Sequence, residues 1–286
     1  MTINLKHKID YSIALLKKAE PLALQYRDYG FFLSFSGGKD SQALYHVAKM
    51  AGVKFQAHYT ATGIDPPELI RFIKKNYPDV IFDRPSITFW RLVLKNKILP
   101  LRKSRYCCAI LKETKGANTI TLTGVRHEES RQRSNRNEFE ISNHKFTGTI
   151  DQFNRSRENE VSCINGKDKI IVNPIIDWTY NNVWEFLNNV VKVPHCELYD
   201  KGYYRIGCLF CPMASKKSKR KMERDYPKYK NQFIRTIHKL REERKSAGLI
   251  DKNENMTDAE VFDWWISNDS LDKWKSENMQ QLKINF

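Results

Sequence analysis

The six residues Ser36-Gly37-Gly38-Lys39-Asp40-Ser41 are where this chain's side chains are best suited to chemistry. Paired glycines let a backbone approach a ligand closely. Ser36 and Ser41 add hydroxyls, Lys39 adds a point charge, and Asp40 offers a carboxylate that can orient a metal ion or a donor. Ahead of them, Phe31-Phe32-Leu33-Ser34-Phe35 reads as a buried strand. Behind them, Leu44, Val47, Ala48 and Ala51 fall at i, i+3, i+4 and i+7, the pattern of an amphipathic helix. A turn from strand to helix presents free N–H groups and the positive end of the helix dipole. Such a turn is a site for phosphate.

The pattern is not a Walker A loop, which needs glycine where Leu33 sits and Ser or Thr where Asp40 sits. It resembles instead the PP-loop of the ATP pyrophosphatase superfamily, whose members cleave ATP between the α and β phosphates or bind a related adenylyl nucleotide. That resemblance implies nucleotide contacts from Ser36, Gly37, Gly38, Lys39, Asp40 and Ser41, with Lys39 and Asp40 in catalysis.

The second signal is Cys107-Cys108 with Cys208-x-x-Cys211. Two close pairs of thiols suit a tetrahedral thiolate-rich centre, zinc or iron–sulfur. Adjacent cysteines diverge and do not easily bind one small ion, which favours a 4Fe–4S cluster over zinc. Cys163 and Cys196 read as buried free thiols.

The order PP-loop, Cys-Cys, Cys-x-x-Cys resembles the phosphoadenosine phosphosulfate reductase family. Arg105-Tyr106-Cys107-Cys108, Lys112, the run Gly124-Val125-Arg126-His127-Glu128-Glu129-Ser130-Arg131, and Pro174 to Thr179 are similar to that family's pattern. The resemblance implies a 4Fe–4S cluster on the four cysteines and an Arg126 that meets the phosphate or sulfate end of the ligand. Assimilatory reductases of the family carry a nucleophilic cysteine in a C-terminal tail, and this sequence has none after Cys211. The resemblance is therefore closest to the sulfur-transfer ATP pyrophosphatases of DNA phosphorothioation systems.

These residues need a scaffold. Phe55–Thr60, Val80–Phe82, Thr119–Thr123 and Ile170–Val172 read as further strands, alternating with helices. That alternation predicts an α/β fold, a parallel twisted sheet with helices on both faces. Gly37, Gly63 and Gly124 each follow a strand, so their loops are expected to converge on one nucleotide pocket at the carboxyl ends. The expected organisation is an N-terminal helix over 1–27, the nucleotide-binding domain over 28–200 and a Cys-x-x-Cys segment with basic helices over 201–286. Residues 134–168 are a polar insertion or lid. Lys216 to Lys245 reads as one or two helices broken near Pro227, and Thr257 caps a last helix.

Net charge is +16, and residues 201–250 hold fifteen lysines and arginines against four acids. That clustering is the footprint of a polyanion site, with Lys216, Lys217, Lys219, Arg220 and Lys221 as contacts. No apolar run approaches the roughly 20 residues of a membrane span, and the first residues lack a signal peptide's apolar block. A cytoplasmic protein with no membrane partner is expected.

The expected function is an ATP pyrophosphatase that uses ATP and Mg²⁺ to adenylylate an acceptor for sulfur incorporation. The acceptor is nucleic acid, DNA ahead of tRNA, and the sulfur comes from a persulfide donor such as a cysteine desulfurase. A homodimer is left open. The alternatives are a phosphosulfate reductase, a zinc-containing nucleic-acid-binding protein without catalysis, and a subunit whose basic helices bind a protein.

Overall fold

The computed structural model describes residues 1–141, 146–152, 169–250 and 253–284. The chain forms two compact units that interleave along the sequence. The first comprises Met1–Ala61, Pro67–Arg84 and Glu113–Ile206; the second comprises Thr62–Pro66, Pro85–Lys112 and Gly207–Phe286. Segments 62–66 and 85–112, which a linear reading leaves inside the nucleotide-binding domain, thus cluster with the C-terminal helices.

The first unit is built on a seven-stranded sheet. Its strands are β1 (Phe31–Ser34), β2 (Phe55–Thr60), β3 (Ile81–Asp83), β4 (Ile120–Leu122), β5 (Phe139–Ile141), β6 (Phe146–Gly148) and β7 (Ile170–Val172). The order is β3-β2-β1-β4-β7-β5-β6. The five strands β3, β2, β1, β4 and β7 pair in parallel, as the alternating pattern predicts. β5 pairs antiparallel with β7 and with β6, so a hairpin out of the polar stretch 134–168 extends the sheet edge. Most of that stretch, with Cys163, lies outside the described residues.

Apolar side chains on β1 and β4, and on β7 all but Ile171, are buried: Phe31, Leu33, Ile120, Leu122 and Val172 are each 0% exposed. Strands this apolar belong in a sheet covered on both faces. The helix α1 (Ile3–Tyr26) packs beside α2 (Lys39–Ala51). α1 buries Leu5, Ile9, Leu15, Leu16 and Ala19. One polar residue lies among them. Ser12 Oγ donates to the Pro174 carbonyl at 2.6 Å and accepts from Trp178 Nε1 at 3.2 Å.

The second unit is helical. Helices Phe89–Asn96 and Tyr106–Leu111 join Lys216–Asp225, Pro227–Ser246, Asp258–Ser267 and Leu271–Ile284. The break at Pro227 and the capping box at Thr257 are where the sequence places them. The helix after Thr257 is not the last, since Leu271–Ile284 follows an αL residue at Asn268. Phe210, Phe233, Phe262 and Trp265 form the aromatic core, with ring centroids 5.2 to 6.1 Å apart. Among the described residues no helix is long and apolar enough to cross a membrane.

Ser12→Ala leaves the buried Trp178 N–H without an acceptor. A loss of about 1–3 kcal/mol is expected in urea unfolding, the cost of an unmade buried hydrogen bond.

Candidate functional site: a phosphate loop and a four-cysteine cavity

β1 ends at Ser34 and α2 starts at Lys39, so Phe35 to Gly38 form the turn. Gly37 has φ +70°, and a Cβ there would lie 2.7 Å from the side chains of Leu69 and Ile73. Only glycine fits on both counts. Gly124, just past β4, would bring a Cβ to 3.0 Å from the Asp40 carbonyl, so the β4 loop abuts the first turn of α2. The serines tie the loop to itself. Ser41 Oγ donates to the Gly38 carbonyl at 2.9 Å and accepts from the Ser36 N–H at 3.1 Å. Ser36 Oγ accepts from the Gly38 N–H at 3.4 Å.

Asp40 is shared between two cations. One carboxylate oxygen takes Lys39 Nζ at 2.8 Å, the other takes Arg126 Nε at 2.7 Å. Arg126 is 2% exposed and also donates from Nη1 to Glu128 and to the Trp178 carbonyl, both at 3.0 Å. Burial works against its charge; Asp40 and then Glu128 outweigh that and raise its pKa. Arg126 is thus brought to the loop as expected, and it meets a carboxylate there. Arg133 pairs with Glu129, the residue that accepts from the Arg126 N–H at 3.1 Å.

Sequence reasoning missed the tyrosines. Tyr199 Oη accepts from the Lys39 N–H at 2.8 Å, so it occupies a helix N-terminal donor. Burial pushes the Tyr199 phenol well up. Lys39 Nζ lies 5.2 Å from the Tyr180 ring centroid, and Tyr180 stacks on Tyr204 at 5.1 Å. Nothing near the motif signals residues some 140–160 positions away. Gly63 belongs to the other unit, where the Thr62 N–H and hydroxyl donate to Asp65 at 2.7 and 2.9 Å.

In the second unit Cys107, Cys108, Cys208 and Cys211 line one cavity, with Thr62 and Lys112. The helix Tyr106–Leu111 carries the first pair. The second pair sits on a turn in which Phe210 adopts φ +54° and the Leu209 N–H reaches the Ile64 carbonyl at 2.8 Å. The Cys107 thiol donates to Cys108. That bond, with Arg105 and Lys112 nearby, outweighs burial and holds the Cys108 thiol below the ordinary thiol range. The same bond, then burial, pushes Cys107 up. Burial pushes Cys208 up as well, while Lys112 opposes it. Among the described residues no group of three His, Cys, Asp or Glu side chains is placed to hold a single metal ion. The donor set suits a larger thiolate-ligated centre, because four thiols share one cavity and cations stand beside them. Cys196 is buried and free, as its sequence context predicts.

Of the five residues expected to touch nucleic acid, Lys217, Arg220 and Lys221 share one groove, and Lys216 and Lys219 do not line it. Lys219 is 1% exposed and is no surface contact. A charged side chain flanked by charged neighbours reads as solvated, but position 219 falls on the packed face of Lys216–Asp225, with Met222. Lys216 pairs with Asp269, Arg220 with Glu223 and Asp263, and Lys221 with Asp225. Lys217, Arg220, Lys221, Arg224 and Lys230 line an open groove with Glu223 as the one acid.

A family model described as the phosphoadenosine phosphosulfate reductase domain matches residues 30–214. The chain belongs to the phosphoadenosine phosphosulfate reductase family. An uncharacterised protein of Methanocaldococcus jannaschii is 28% identical over 241 residues, covering 80% of this chain and 52% of that protein. This family member therefore spans about half the length of that relative. The adenosine 5'-phosphosulfate reductase of Geobacillus kaustophilus is 26% identical over 206 residues, covering 66% of this chain and 77% of its own. Among solved structures, the FMN adenylyltransferase of Candida glabrata is 15% identical, with a TM-score of 0.46 over 72% of this chain and 62% of that one.

Two outcomes follow from this geometry. Arg126→Lys keeps the charge and loses the fork that spans Asp40, Glu128 and the Trp178 carbonyl. Calorimetry should show nucleotide binding weakened about tenfold, the equivalent of roughly 1.4 kcal/mol. Cys108 has its pKa below the ordinary thiol value, so its thiolate persists to lower pH than a free cysteine's and is lost as pH falls through that lowered value. Iodoacetamide alkylation of metal-free protein, mapped by mass spectrometry, should rise through a midpoint well below the free-cysteine value at Cys108. A midpoint of about 8.5, the free-cysteine value, would contradict that assignment.

Proposed function

We propose that this protein is an ATP pyrophosphatase that adenylylates an acceptor, nucleic acid with DNA ahead of tRNA, for sulfur incorporation. The observation that carries the reading is the Lys39–Asp40–Arg126 network at the glycine-lined start of α2. It supplies two cations and a helix N-terminus to a phosphate chain, and one carboxylate that holds both cations in register.

The chemistry runs as follows. The acceptor oxygen attacks the α-phosphorus of ATP, and the bond to the β-phosphate oxygen breaks. Lys39 and the α2 N-terminus stabilise the charge that develops on the leaving pyrophosphate. Arg126 orients the phosphate through its fork, and Asp40 keeps Arg126 and Lys39 aimed at the loop. The terminal sulfur of a persulfide donor, such as a cysteine desulfurase carries, then displaces AMP from the acceptor. A thiol reductant cleaves the resulting disulfide to release donor and product.

Asp40 and Glu128 are the carboxylates that would hold Mg²⁺, which when bound would neutralise phosphate oxygens. Cys107, Cys108, Cys208 and Cys211 would hold the 4Fe–4S cluster, which when bound would offer a site for sulfur. Zinc is the other metal that thiols take. The basic groove at Lys217, Arg224 and Lys230 supports a polyanionic acceptor.

A second reading is favoured by one specific finding, the similarity to an adenosine 5'-phosphosulfate reductase over 77% of that enzyme's length. In that reading the same loop holds a sulfonucleotide, and a thiol takes its sulfur.

Incubation with ATP, Mg²⁺, a persulfide donor and either DNA or tRNA should place sulfur in the nucleic acid, read by mass spectrometry of its nucleosides. Sulfite from a sulfonucleotide with added thiol, and no sulfur in nucleic acid, would establish the reductase instead. Lys217→Gln with Arg224→Gln should weaken DNA binding and flatten the plot of log K against log salt by about 0.9 per residue. Binding that does not respond to salt would contradict a polyanionic acceptor.

A further inference from the structure

An exposed aromatic ring stands beside the phosphate loop, in the same unit. Tyr204 is 71% exposed, and its ring lies flat on that of Tyr180, with centroids 5.1 Å and planes 7° apart. A single large apolar side chain at a surface needs no explanation. This one is the outer member of a stack. The inner member, Tyr180, has the Lys39 ammonium 5.2 Å from its ring centroid, and Lys39 is the first residue of α2.

The backbone fixes both tyrosines. The Tyr180 N–H donates to Glu128, the carboxylate that also takes Arg126 Nη1 at 3.0 Å. Thr179 caps the helix Tyr180–Glu185 by accepting from the Asn182 N–H at 3.1 Å. Tyr204 follows a tight turn, in which Gly202 has φ +80° and the Tyr203 N–H donates to the Leu198 carbonyl at 3.0 Å. Tyr203 is buried there, which leaves Tyr204 on the outside. Arg205, the next residue, is an exposed cation.

Tyr180 covers one face of the Tyr204 ring, and the other face is open. An open aromatic face flanked by cations suits a flat ring that carries phosphate, which is the chemistry of a nucleobase in a strand. The degree of exposure separates two sources of such a base. A bound mononucleotide has most of its surface enclosed in a pocket. A base in a strand stacks on an open ring while the chain runs on past it. Inside a duplex both faces of a base are already stacked, so only an unpaired or extruded base can use the ring. We infer that the outer face of Tyr204 is a stacking platform for an unpaired nucleobase of the acceptor strand. The inference rests on the reading that the acceptor is nucleic acid, and it adds that the strand is unpaired where it meets the phosphate loop.

The test uses the full chain and two variants, Tyr204→Ala and Tyr204→Trp. Binding of a dye-labelled oligothymidine is followed by fluorescence anisotropy, and binding of a non-hydrolysable ATP analogue by calorimetry. Tyr204→Ala should bind the single strand about 5- to 150-fold more weakly, the range for losing one base–aromatic stack. Tyr204→Trp should bind it as tightly as the parent, and both variants should keep the parent's affinity for the ATP analogue. A strand carrying iodouracil, irradiated on the parent, should crosslink at Tyr204 when mapped by mass spectrometry. Parental single-strand affinity in Tyr204→Ala, or crosslinks that avoid Tyr204, would overturn the inference. So would a Tyr204→Ala variant that loses affinity for the ATP analogue, because the ring would then serve the nucleotide's own adenine. A parent that binds neither single strand nor duplex would overturn the nucleic-acid reading itself and the inference with it, a result distinct because it appears before any substitution is made.

Discussion

One carboxylate organises the phosphate loop. Asp40 accepts from Lys39 with one oxygen and from Arg126 with the other. Lys39 is the first residue of α2 and Arg126 follows β4, so this single group joins two loops of the sheet's carboxyl edge. Gly124 keeps the approach close, because a Cβ there would press on the Asp40 carbonyl at 3.0 Å. The arrangement relies on Trp178 as well, whose carbonyl takes Arg126 while its indole is held by Ser12 of α1. The N-terminal helix therefore reaches the site through two hydrogen bonds.

The loop is electrically satisfied from within. Lys39, Arg126 and Arg133 are matched by Asp40, Glu128 and Glu129. Tyr199 takes the Lys39 N–H that an anion would otherwise claim. On the proposed function, phosphate would take the Lys39 N–H from Tyr199, a donor that is already in place. Donors held in position before the ligand arrives lose little entropy on binding. At the cysteine cavity Arg105 stands beside Cys108, and Lys112 stands beside Cys208 and Asp65.

Much of this was legible in the sequence. Strand-then-helix periodicity around Phe31 to Ala51 located the phosphate turn, and β-branched runs located the parallel strands. Arg126 was legible by its place just after a strand. Other features were not, for physical reasons. Phe139-Glu140-Ile141 alternates as a strand should, yet three residues in a polar stretch are too few to distinguish from a loop. Tyr199 and Tyr180 reach Lys39 only through the fold, since a tyrosine far along the chain carries no local mark of its partner. Gly63 follows a strand as Gly37 and Gly124 do, but the chain leaves the sheet there for the other unit. Lys219 misled because residue type predicts exposure for a lysine, and the helix face decides otherwise. Composition located the basic segment without separating its buried amine from its surface ones.

The most direct test is to incubate the protein with ATP labelled separately at the α and γ phosphates, in Mg²⁺ with DNA or tRNA, and to identify the bond that breaks. The account predicts AMP and intact pyrophosphate, with the activity lost in Asp40→Ala. ADP and inorganic phosphate, or an Asp40→Ala variant as active as the parent, would contradict it.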